Sequence, residues 1–183
     1  MGKSNSRTRR KRTYDLVLAD PPWRYNFSRS PTRKIENHYP TMTVPEIKAL
    51  GPELPVADDA LLYLWATAPK LLEGLAVMKA WGFTYKTHAI WDKEMIGMGY
   101  WFRGQHELIL VGTKGKYSPP EPRFRISSVL REKRSRHSSK PVSFHAWIEE
   151  AFPDANKLEL FARKRRRGWA SWGNEVKSDV TLA

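Results

Sequence analysis

Apolar positions in this chain come in short blocks whose spacing changes from one block to the next. YDLVLA (14–19) alternates and then runs apolar, the pattern of a strand buried on both faces. ALLYLWAT (60–67) reads the same way, and TYKTHAIW (84–91) and HELILVGT (106–113) predict two further strands. After Pro69, which can open a helix, Leu71, Leu72, Leu75, Val77 and Met78 fall near helical spacing until Gly82, so a helix is predicted over 69–81. PEIKAL (45–50) predicts a short helix, VSFHAWIEEA (142–151) a longer one, and KLELFAR after Pro153 the last core strand. Most of 28–58 and all of 114–140 are too rich in proline and charge for either period and read as irregular. KEMIGMGYWFRGQ (93–105), between the third and fourth strands, is longer than a tight hairpin needs and is expected to be functional. Strands separated by helices, without internal repeats, predict an α/β sheet, mostly parallel with one antiparallel hairpin, and helices on both faces.

With 183 residues, one core is expected. Residues 1–12 read as a basic flexible tail, 13–176 as a single domain and 177–183 as a C-terminal tail. No apolar run approaches the roughly 20 residues of a membrane span, and the basic N-terminus lacks the apolar core of a secretory signal, so an intracellular protein is expected. The absence of cysteine excludes disulfides, thiolate catalysis and cysteine-ligated zinc. His38, His88, His106, His137 and His145 lack metal-ligand spacing, and no metal is expected. Charge changes the picture most. The net charge of +13 is concentrated at RTRRKR (7–12), REKRSR (131–136) and RKRRR (163–167), which points to nucleic acid as the partner. Without a membrane-type amphipathic helix, lipid is the weaker reading.

The candidate chemistry sits where the first strand ends, at Asp20-Pro21-Pro22-Trp23. In open parallel sheets ligands gather at the carboxyl ends of strands. Two prolines stiffen the backbone after Asp20 and donate no hydrogen bonds, so a carboxylate and a main-chain carbonyl can point together at a group carrying two hydrogens. An exocyclic amino group of a base is such a group. Two acceptors holding its hydrogens favour a pyramidal nitrogen whose lone pair is free to attack. Trp23, with Tyr25 or Tyr39, could offer a flat face on which the base stacks. The simpler alternative is a turn whose Asp caps a helix while Trp23 packs in the core.

Several blocks follow one another along the chain: DPPW (20–23), HYPTM (38–42), LYLWAT (62–67), GYWFRGQHELILVGTKG (99–115), HSSKP (137–141), KLELFAR and GWASWGNE. On these the chain resembles the N(6)-adenine methyltransferase family, which includes the catalytic subunit of the eukaryotic mRNA methyltransferase and small bacterial and phage members. The resemblance implies a circularly permuted class I, Rossmann-like methyltransferase sheet, with the catalytic strand first and the donor strand last. It implies S-adenosylmethionine as methyl donor, approached by Lys140, Phe161 and Arg163, with Asn174 and Glu175 at its ribose hydroxyls and Asp20 between donor and acceptor. Asn and Glu suit a diol, and Lys and Arg a carboxylate. Arg163 could equally belong to the RKRRR phosphate cluster. Glu107 matches an acidic position near the acceptor, or is an exposed edge charge. Arg103, and Arg134, Arg136, Arg165 and Arg166 from the basic clusters, are expected to contact the substrate.

The expected activity is methylation of the amino nitrogen of adenine in DNA by direct transfer to a flipped or unpaired base, by a monomer or small homo-oligomer. RNA is the alternative substrate. A nucleic-acid-binding protein with an inactive methyltransferase fold is the rival from another class, and a metal-dependent nuclease ranks last.

Overall fold

The computed structural model describes residues 12–25, 40–133 and 140–182. YDLVLA forms strand β1, Tyr14–Ala19, in which every residue but Asp15 is buried. Its side chains divide between two cores, Val17 and Ala19 on one face of the sheet and Leu16 and Leu18 on the other. That is why the sequence runs apolar instead of alternating. Strand β2, Val56–Ala66, lies parallel to β1, and β3 (Thr84–Asp92) and β4 (His106–Lys114) form the expected hairpin. With β5 (Val129–Arg131), β6 (Lys157–Leu160) and β7 (Trp169–Trp172) they make a sheet of order β5-β3-β4-β2-β1-β6-β7. β4 is antiparallel to both of its neighbours, and the other pairings are parallel. The carboxyl ends of β1, β2, β3 and β6 and the start of β4 therefore share one edge.

Helices cover both faces, as expected. Helix α1 (Val44–Ala49) opens with a capping box between Thr43 and Glu46 and buries Ile47; α2 (Leu71–Ala80) buries Val77 and Met78 in the same core. Helix α3 (Val142–Ala151) packs Phe144 and Ile148 on the opposite face, against Leu16, Leu18 and Trp65. No helix among the described residues is long and apolar enough to cross a membrane.

Three features differ from the sequence reading. β5 lies within the proline-rich 114–140 segment, where three residues pair with β3 at the sheet margin, too few to show a period. WASW forms β7, whose first three residues are buried. Residues 177–182, expected as a tail, lie against the domain: Leu182 is buried, Val180 packs on the same core, and Asp179 accepts from the Ser171 N–H at 3.0 Å. The link from β6 to β7, residues 161–168, is a crossover without a helix, entered through Phe161 in a left-handed conformation (φ +61°).

Candidate active site

Asp20 emerges from β1 with its N–H directed at the Leu160 carbonyl of β6 (3.5 Å), so the end of β1 stays tied to its neighbour. The prolines that follow are held from two sides. Trp23 N–H donates to Pro21 O at 2.8 Å and Met42 N–H to Pro22 O at 2.8 Å, while Arg24 N–H donates to Met42 O at 3.1 Å. The Pro21 and Pro22 carbonyls therefore each already accept a backbone hydrogen bond. Each keeps a second lone pair for a ligand. The capped start of α1 follows directly on this pairing, which is how a short helix comes to brace the DPPW turn.

The Asp20 carboxylate meets Lys140 Nζ at 2.7 Å, and the same ammonium lies 3.2 Å from Glu107 of β4 and over the Trp65 ring at 5.3 Å. Glu107 in turn faces Lys93 at 3.5 Å. Glu107 is thus a half-buried member of the site, and the edge-charge reading is set aside. Burial pushes the Asp20 carboxyl above the ordinary aspartate range; Lys140 opposes the rise, Glu107 adds to it, and the rise prevails. Burial alone would lower the Lys140 ammonium, yet Asp20 and Glu107 together outweigh it and hold its pKa above the usual lysine value. Burial thus governs the carboxyl, and the two carboxylates govern the ammonium they share.

A cleft of about 650 Å³ opens over this cluster, within the range of small-molecule sites. Asp20, Pro21, Pro22, Glu107 and Lys140 line one part of it; Phe161, Arg163, Trp172, Asn174 and Glu175 line another. Phe161 and Trp172 pack edge to face at 5.3 Å, and Arg163 faces Glu175 at 3.7 Å. An aromatic pair, an amide and carboxylate suited to a diol, and an arginine suited to a carboxylate fit S-adenosylmethionine. Lys140, expected to approach that donor, is bonded to Asp20 and Glu107. Tyr25 also lines the cleft, its hydroxyl 2.6 Å from Thr67 Oγ1 and its ring beneath Lys70 Nζ at 5.2 Å.

One expectation needs correction, and two arginines lie outside the cleft. Trp23 does not offer a free stacking face: it is 5% exposed, and its Nε1–H donates to Trp65 O at 3.1 Å, which makes it a buried wall of the cleft. Arg165 and Arg166 are not brought to the cleft. On the crossover after β6, Arg165 pairs with Asp179 at 2.6 Å, and Arg166, near the start of β7, with Glu149 of α3 at 3.4 Å. Arg103 projects on the 93–105 loop with its Nε–H on Gly97 O at 2.6 Å. Tyr39, Arg134 and Arg136 lie outside the described residues. The sequence reading missed Trp65, Thr67 and Lys93 as site residues. The signal was available for the first two, because a strand paired parallel to β1 must end beside Asp20.

The MT-A70 family model matches residues 14–175. The chain is 34% identical to the type II methyltransferase M.MunI of a Mycoplasma species over 91% of this chain and 79% of that protein. It is 32% identical to an MT-A70-like N(6)-adenosine-methyltransferase of Arabidopsis thaliana over 90% of this chain and 24% of that protein. It is 29% identical to the human N(6)-adenosine-methyltransferase catalytic subunit METTL3 over 89% of this chain and 28% of that protein. The chain therefore spans about a quarter of those two eukaryotic relatives and most of the bacterial one. With a carboxylate and two prolines at the tip of β1, a cleft that reaches from there to the ends of the last two strands, and a family match over nearly the whole chain, the protein belongs to the MT-A70 family of S-adenosylmethionine-dependent adenine methyltransferases.

Proposed function

We propose that this chain methylates the N6 amino group of adenine in DNA, acting as a monomer or small homo-oligomer. The observation that carries the reading is the position of Asp20, which shares one continuous cleft with Phe161, Arg163, Asn174 and Glu175. DNA is favoured over RNA because the similarity to a type II methyltransferase covers 79% of that protein, whereas the N(6)-adenosine-methyltransferases are matched over about a quarter.

S-adenosylmethionine supplies a methyl group on a sulfonium, and its positive charge is lost as the methyl leaves, so a partly apolar site favours transfer. Asn174 and Glu175 hold the ribose hydroxyls and Arg163 the carboxylate. Asp20 accepts one amino hydrogen, and the free lone pair of a DPPW carbonyl accepts the other, leaving the nitrogen lone pair aimed into the cleft. Lys140 keeps Glu107 as partner when the substrate amine takes its place at Asp20. The amino proton displaced by N–C bond formation can pass to the Asp20 carboxylate, whose raised pKa suits it to receive one.

The test is to incubate plasmid DNA and a transcript in parallel, digest both to nucleosides and identify products by mass spectrometry. N6-methyldeoxyadenosine from the plasmid is expected, and methylation confined to the transcript would overturn the choice of DNA. Asp20→Ala should abolish product while S-adenosylmethionine binding stays within a few-fold; a variant turning over normally would remove Asp20 from the mechanism.

A further inference from the structure

The 93–105 segment continues the β3–β4 hairpin as a narrow finger. Lys93 N–H donates to Gln105 O at 2.9 Å, Gly97 N–H to Gly104 O at 2.9 Å and Gly104 N–H to Met98 O at 3.1 Å. At its base, Glu94 N–H and the Gln105 side-chain amide both bond to Asp92 Oδ1, at 2.9 and 2.8 Å. Two glycines make the neck possible: a Cβ on Gly97 would stand 2.6 Å from the Gly104 carbonyl, and one on Gly99 would collide with the Phe102 carbonyl. At the tip, Tyr100, Trp101 and Phe102 are 93%, 95% and 90% exposed. A bonded ribbon that holds three adjacent aromatic rings in water needs a partner for them.

Two observations say what that partner is. The finger stands on the sheet edge that carries the active site, and its root residue Lys93 faces Glu107, which shares Lys140 with Asp20. Residues 95–105 contain no acidic side chain and carry Arg103 at the neck, in a protein of net charge +13. Flat rings and a guanidinium beside the site match stacked bases on a phosphate backbone.

We propose that the finger is a base-stacking wedge: Trp101, flanked by Tyr100 and Phe102, enters the space left by the target adenine and stacks on the neighbouring bases, while Arg103 faces a phosphate. The proposal rests on the DNA-methylation reading. A base in a duplex must leave the stack before its amino group can reach Asp20, and an aromatic side chain filling the gap slows its return. Such contacts are sequence-tolerant, because every base has a flat face.

Methylation of native and heat-denatured plasmid by the full chain, followed with tritiated S-adenosylmethionine, tests it. Trp101→Ala should lower kcat/KM on native DNA about 10-fold or more and on denatured DNA by less than about 3-fold, with Trp101→Phe retaining most of the activity. Donor binding by calorimetry and sedimenting mass should match wild type in both variants, which also shows that they fold. Equal losses on the two DNAs, no loss on either, or a fall in sedimenting mass marking the tip as a contact between copies would each overturn the wedge. A wild-type chain that methylates neither DNA sinks the underlying reading and the wedge with it, whereas an active wild type with an unaffected Trp101→Ala sinks the wedge alone.

Discussion

Asp20, Lys140 and Glu107 form the residue-scale unit on which activity depends. The folded-state pKa of Asp20 lies above its unfolded value, so the native state holds that proton more tightly, and the ionised form needed to accept an amino hydrogen appears only as pH rises through the raised value. The acid limb of kcat/KM should therefore have unit slope and an inflection above the ordinary aspartate range. Lys140→Met removes the larger of the two cationic influences opposing that rise, the other being Arg163, and should move the limb further toward neutrality. An unmoved limb in that variant would assign it to another group. The same substitution leaves two partly buried carboxylates without their shared ammonium and should cost about 2 kcal/mol in thermal unfolding at pH 8, less at low pH, where protonation removes their repulsion. Asp20 was legible because Pro21 and Pro22 mark it in the sequence. The pairing that tunes it was not, because Lys140 and Glu107 come from distant segments.

At the scale of elements, where a strand or crossover leads decides which charges can reach a substrate. RKRRR reads as a phosphate cluster, yet Arg166 sits beside Glu149 near the start of β7, while Arg103 projects from the finger at the catalytic edge. Each phosphate contact contributes about one unit to the salt slope of binding. Arg103→Ala should thus reduce the slope of log K against log[salt] by about one for a DNA duplex, and Arg166→Ala should leave it unchanged. An equal effect of both would mean that DNA runs past the far end of the sheet. Trp23 makes the same point for packing. Its neighbours in sequence suggest a stacking platform, but the Trp23–Met42 bridge and the bond to Trp65 O turn it inward.

For the whole molecule, the sheet collects the ends of β1, β2 and β6, the start of β4 and the Lys140 segment around one cleft, so donor binding is binding to the folded state alone. S-adenosylmethionine at about 100 times its dissociation constant should stabilise the protein by about 2.7 kcal/mol. A thermal melt should show that rise in wild type and in Asp20→Ala. It should be diminished in Asn174→Ala and Glu175→Ala, which remove the cleft side chains proposed to hold the ribose hydroxyls. A full shift in both of the latter would place the donor elsewhere in the cleft.

The sequence by itself determined the α/β class, the strands expected at 14–19, 84–91 and 106–113, and the DPPW candidate, because hydrophobic period and proline stiffness are local properties, while Lys140, Asn174 and Glu175 were marked only by the resemblance to a family. Only the tertiary structure decided that Glu107 belongs to the site, that Trp23 is a wall, that Arg165 and Arg166 turn away from the cleft and that 177–182 pack on the core. Each of these depends on strand order and direction, and a parallel sheet pairs residues far apart in the chain.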